Sequence, residues 1–112
     1  MSKLKAKLAA LDGNDKFKRL LVGVPETKGV KSGYMTLKPG ESVGLHNTGD
    51  KEETIIFLEG KAQVYLAGEP KFSVREKQVL YVPPHTGHDI KNIGRKKLRY
   101  VYVVSPVENT KS

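Results

Sequence analysis

Apolar residues recur along this chain in short bursts of strand length, each bounded by glycine, proline or acidic residues. The bursts rich in Val, Ile, Leu, Tyr and Phe predict strands at 17–23, 33–37, 42–46, 54–58, 62–66, 72–75, 78–82, 88–92 and 98–104. Segments of this length at regular spacing, with turn residues between them, specify an all-β sandwich or barrel. Pro39-Gly40 suits the centre of a type II turn, because proline fixes φ and glycine accepts a positive one. Glu59-Gly60 reads as a hairpin turn between two apolar strands. Pro83-Pro84 has no N–H to give to a ladder, so the chain is expected to leave the sheet there. At the N-terminus Leu4, Ala6 and Leu8 alternate like a strand, while Leu4, Leu8 and Leu11 fit a helix about as well. The reading taken forward is an extended arm over 2–10 that ends at Asp12-Gly13. Three stretches result: 1–31 as the arm and first strand, 32–105 as the barrel, and 106–112 as a polar tail, together one domain.

Side chains two apart on a strand share a face. His46 therefore points with Thr48, Glu53 with Ile55 and Phe57, and His88 with Ile90 and Asn92. Polar, ligand-type residues thus sit at the ends of otherwise apolar faces. This is the pattern of a small barrel interior with one polar spot. Tyr34, Tyr65, Tyr81, Tyr100 and Tyr102 lie among apolar residues and are read as core or interface, with one or two lining a pocket.

Charge narrows the partners. Lys and Arg outnumber Asp and Glu by 20 to 12, a net +8, so a nucleic-acid site has to be weighed. Only four of the twenty are arginines (Arg19, Arg75, Arg95 and Arg99), and the lysines are scattered over the chain. Bidentate phosphate and base contacts favour arginine. A lysine-rich solvated surface that keeps strand edges apart is the better reading. There is no cysteine, hence no disulfide and no thiolate site. No apolar run nears the length of a membrane span. The first residues carry lysines but no continuous apolar segment, so the cytoplasm is the expected location.

Two neutral imidazoles and one carboxylate form a ligand set for a divalent transition metal with positions left open, and the chain offers His46, His85 and His88 beside the acidic residues around Glu53. Their spacing adds a second argument. Gly40, His46, Glu53 and Gly60 fall in the register of the first motif of the cupin superfamily: glycine, His-x-His, glutamate, glycine. Thr48 stands where that motif has its second histidine. Pro83, His88 and Asn92 match the second motif, in which Lys77 and His85 replace two glycines. The chain thus resembles a small single-domain cupin over roughly residues 32 to 105.

The resemblance implies an antiparallel double-sheet jelly-roll barrel, commonly a homodimer, with one metal inside. It assigns His46, Glu53 and His88 as metal ligands and leaves Thr48 and His85 as further pocket residues, His85 as a substitute ligand or as a turn residue at the mouth. The metal would be Zn, Mn, Fe or Ni. The expected function is binding of that metal and a small polar metabolite, with isomerase-, epimerase- or oxygenase-like chemistry. The alternative is a metal-free, non-catalytic module for a sugar-type ligand. Asn92 is read as structural, bonding local backbone at a strand end.

Overall fold

The computed structural model describes residues 4–107, and among these every regular element is a strand. Nine strands follow in order: β1 (Phe17–Val22), β2 (Lys31–Leu37), β3 (His46–Asn47), β4 (Lys51–Glu59), β5 (Lys61–Leu66), β6 (Glu69–Arg75), β7 (Gln78–Val82), β8 (Gly87–Asn92) and β9 (Leu98–Pro106). They form two antiparallel sheets, one in the order β1-β2-β9-β4-β7 and the other β3-β8-β5-β6. No helix among the described residues is long and apolar enough to cross a membrane.

The period-2 pattern decides what lies between the sheets. Ile55 and Phe57 on β4, Ala62 and Val64 on β5, Leu80 and Val82 on β7 and Leu98 and Tyr100 on β9 are all buried in one core with Met35 and Leu37. Along β8 burial alternates strictly, with His88, Ile90 and Asn92 inside. Each large apolar side chain taken fully out of water here contributes about 1.5–3 kcal/mol. Asn92 is the polar exception and is satisfied completely. Its Nδ2 donates to the carbonyls of Leu37 and Lys96, both at 2.9 Å, and its Oδ1 accepts the Gly94 N–H at 2.9 Å. One amide thereby ties the end of β8 to β2 and to the loop entering β9.

Two sequence expectations are corrected. Glu59-Gly60 is not a hairpin, because β4 and β5 lie in different sheets and the chain crosses between them at this point. Gly60 is required there. It has φ +94°, and a Cβ on it would sit 2.7 Å from the Lys97 carbonyl oxygen. The tight hairpin lies further on, at Ala67-Gly68 between β5 and β6, where φ of 51° and 81° describe a type I′ turn. Residues 42–46 do not form a continuous strand either. Ser42 makes an isolated bridge to Lys91, and pairing resumes only at His46. Gly44, at φ +110°, breaks the run, and its N–H goes to the Asp89 carboxylate at 2.9 Å instead of to a ladder. Elsewhere the expectations hold: Glu41 N–H bonds the Lys38 carbonyl across Pro39-Gly40, and β7 ends just before Pro83-Pro84.

Residues 4–15 take no regular structure, in keeping with the expected arm; positions 2 and 3 and the tail from 108 lie outside the described residues. The arm is tied to the outward face of the larger sheet. The Arg99 guanidinium donates to the Gly13 carbonyl (3.1 Å) and to Asn14 Oδ1 (2.7 Å), while also holding the Tyr34 hydroxyl and Thr36 Oγ1. Lys18 pairs with Asp12, and Lys7 with Glu26 at 3.2 Å. Ser32, Tyr34 and Thr36 are buried, although they alternate with the core-facing residues of β2.

Candidate functional site

A cavity of about 560 Å³ opens between the two sheets. Its walls are mostly apolar and aromatic: Met35, Val43, Ile90, Tyr100, Tyr102 and Val104. His46, Thr48, Glu53 and His88 line it as well. The four polar positions singled out from the motif register therefore share one cavity, brought there by three strands and a loop. Burial pushes the Tyr100 phenol far above its ordinary value, so it stays neutral at any working pH.

The centre of the site is one contact. His88 Nε2 lies 3.1 Å from Glu53 Oε1, and the two side chains are only 5% and 12% exposed. They come from opposite sheets, β8 and β4, so the pair spans the barrel interior. The hydrogen bond to Glu53 raises the His88 imidazole above its ordinary pKa, against the burial that would lower it. His88 Nδ1 faces the Thr86 carbonyl at 3.4 Å. Each ring nitrogen thus has an oxygen acceptor within reach whenever it carries a proton.

His46 is placed differently. It is directly opposite His88 in the β3–β8 register, and the two ring centroids are 6.1 Å apart, edge to face. It is exposed, whereas His88 is buried. Thr48 holds the neighbouring loop in place. Its hydroxyl donates to the Pro83 carbonyl at 2.7 Å and accepts the Thr86 N–H at 3.0 Å. Those two bonds clamp the segment that carries His85. His85 itself is exposed at φ +56° and is not among the residues lining the cavity. Lys77, in the other glycine position of the motif, has φ +70°. Both non-glycine residues keep the left-handed backbone for which glycine is suited.

These facts bear on the metal. A histidine ligates a metal through the free lone pair of a neutral imidazole, and a glutamate through its carboxylate oxygens. Here His88 Nε2 is taken by Glu53, the Thr48 hydroxyl is committed to the loop, and His46 lies out at the rim. Among the described residues no group of three or more His, Asp or Glu side chains is arranged to hold an ion. As arranged, the described residues bring together two of the three expected ligands, Glu53 and His88, and leave His46 at the rim, short of a three-ligand site. What the pair can do is hold a proton between two groups and present it to a molecule in the cavity.

Several lining residues had no motif to announce them. Lys51 is two residues before Glu53 on the same strand, so the period-2 rule alone would have placed it on the inward face. Lys16, just ahead of β1, carried no signal.

A cupin domain family model matches residues 33–104. The chain belongs to the cupin family. Solved cupins share the fold at low sequence identity. The cupin domain of Schizosaccharomyces pombe Cnp3 superposes with a TM-score of 0.74 at 22% identity, covering 88% of this chain and 69% of that one. A cupin family protein with a double-stranded β-helix fold from Methanocaldococcus jannaschii gives 0.70 at 22% identity, covering 90% and 91%. In sequence, a Streptomyces cyaneus protein named polyketide synthase CurC is 36% identical over 86 residues, which is 74% of this chain and 55% of that protein. This cupin spans a little over half the length of the curated relatives it matches.

Proposed function

We propose that this cupin binds a small, mostly apolar molecule inside the barrel and engages its polar group with the His88–Glu53 pair. The observation that carries the reading is the buried 3.1 Å contact between these two side chains in a cavity whose walls are mostly apolar and aromatic. A site of this kind sorts ligands by shape along the apolar wall and by one hydrogen bond at the polar end. The pair also suits acid–base chemistry: His88 gives a proton to a carbonyl or hydroxyl oxygen, and Glu53 balances the charge. Isomerisation or epimerisation next to a carbonyl is the reaction type such a pair serves, with His88 protonating the carbonyl oxygen while the Glu53 carboxylate takes the proton from the adjacent carbon and returns it as the oxygen gives its proton back to His88. The similarity to a protein named for polyketide synthesis supports an oxygenated, largely apolar ligand over a sugar.

The test is a thermal-shift and NMR screen of oxygenated aromatic and alicyclic compounds. Hits are expected to perturb His88 and to lose their effect with His88→Ala. A hit whose affinity is untouched by that substitution overturns the site. Solvent deuterium appearing in a bound ligand would mark turnover, and binding without exchange would mark a carrier or sensor.

A metal-dependent reading has one observation in its favour: His46, Glu53 and His88 line the same cavity. It requires His88 to give up Glu53 and His46 to turn inward. Elemental analysis of protein purified without chelators decides between the two. Zn, Mn, Fe or Ni near one equivalent, with a matching gain in thermal stability, would replace the ion pair with a metal centre.

A further inference from the structure

The cavity's charge is one-sided, and this specifies the ligand further. Apart from the His88–Glu53 pair, the lining residues that carry a full charge are Lys16 and Lys51. Glu53 is spent on His88. The lysines have acidic neighbours, but those neighbours sit outside the cavity: Lys16 Nζ is 3.4 Å from Glu41, and Lys51 Nζ is 3.3 Å from Asp50. Both contacts are solvent-exposed, with lysine side chains 49% and 39% accessible and Asp50 at 85%. Exposed pairs of this sort contribute little, so an incoming anion competes with them easily. Lys51 has the closer relation to the pair. It lies on the inward face of β4, one same-face step out from Glu53, a separation of about 7 Å.

From this we infer that the ligand is an apolar carboxylic acid. Its hydrocarbon or aromatic body lies against Met35, Tyr100, Tyr102 and Val104, and its carboxylate meets Lys51 at the rim, with Lys16 adding positive potential. The inference rests on the small-molecule reading above and sharpens it. An amine would be repelled by both lysines. A neutral amide or alcohol of the same shape would keep the apolar contacts and forgo the charge. The chain's net charge of +8 draws anions toward it at low salt in any case. The lysines at the cavity convert that general attraction into selection.

The experiment compares matched probes on the full chain: 2-naphthoate, 2-naphthamide and 2-naphthylmethylamine, by ligand-observed NMR and calorimetry. Naphthoate is expected to bind about tenfold or more tightly than the amide, with the amine weakest. The margin should collapse in 0.5 M salt and in Lys51→Gln, whose thermal unfolding should match that of the unmodified protein. Lys16→Gln should reduce the margin less. Equal binding of acid and amide, or a margin unchanged by Lys51→Gln, refutes the carboxylate inference and leaves the small-molecule reading standing. Preference for the amine refutes it outright. If none of the three binds, the apolar pocket reading fails and this inference goes with it.

Discussion

Removing the Asn92 side chain is expected to weaken the barrel more than any other single polar change. The side chain is fully buried and makes three hydrogen bonds of 2.9 Å, two donated to the Leu37 and Lys96 carbonyls and one accepted from Gly94. A typical protein hydrogen bond contributes about 1 kcal/mol net, and a buried group left unpaired costs about 1–3 kcal/mol more. Leu37 is itself inaccessible to solvent, so its carbonyl has no water to turn to. Asn92→Ala is therefore expected to lose about 3–5 kcal/mol, a large share of the ~5–15 kcal/mol that holds a domain together. At a urea dependence of ~1.5 kcal/mol per molar, the unfolding midpoint falls by about 2–3 M. Asn92→Asp discriminates between lost packing and lost donors. It is nearly the same shape, yet it sets a carboxylate against two carbonyl oxygens. Its loss should match or exceed that of alanine at pH 7, and should shrink at low pH, where a protonated carboxyl regains one donor. Urea titrations followed by circular dichroism measure all of this. A loss under about 1 kcal/mol for Asn92→Ala, or an Asp variant as stable as the original at pH 7, would refute the account of this residue as a hydrogen-bonded staple.

Lys77→Gly and His85→Gly should each stabilise the protein, because both side chains are exposed and both backbones sit at positive φ. A left-handed conformation costs an ordinary residue about 1–2 kcal/mol, part of which glycine's freer unfolded chain takes back. The expected gain is about 0.5–1 kcal/mol apiece, seen as a rise of a few degrees in Tm and nearly additive in the double variant; no rise in either would contradict the strain. The His88–Glu53 pair predicts a pH dependence of definite sign. Since the folded protein raises the His88 pKa, the pair's contribution is complete below the ordinary histidine value of about 6.5 and is lost as pH climbs through the raised one. Stability followed from pH 6 upward should decline in the unmodified protein more than in His88→Gln, and His88 should titrate by NMR above the ordinary histidine value; titration below that value would overturn the pairing with Glu53.

Much of this was legible in the sequence, for reasons that differ from residue to residue. Strict alternation at His88, Ile90 and Asn92 announced one buried face, and all three are buried. Turn chemistry placed the breaks at Pro39-Gly40 and Pro83-Pro84 because proline and glycine act through their own backbones, whatever surrounds them. Glu59-Gly60 departs from its local pattern for the opposite reason. Its glycine answers to a distant carbonyl at Lys97, and local pattern carries no record of such a neighbour. The same limit applies to the site. Motif register identified Glu53, His46 and His88 as cavity residues, but not that Glu53 and His88 would bind each other while His46 stayed at the rim. Thr48 looked like a missing ligand. In the structure its hydroxyl clamps a loop through two bonds that link positions 35 and 38 residues away.

The two walls of the cavity differ in how firmly they are held. Glu53 belongs to a nine-residue strand bonded along both edges, to β9 and β7, whereas His46 belongs to a two-residue strand bonded to β8 alone. Substitutions around His46 can therefore accumulate at little cost to folding, and those around Glu53 cannot. Descendants of this chain that take up new ligands should carry their novelty on the short strand and inherit the long one unchanged.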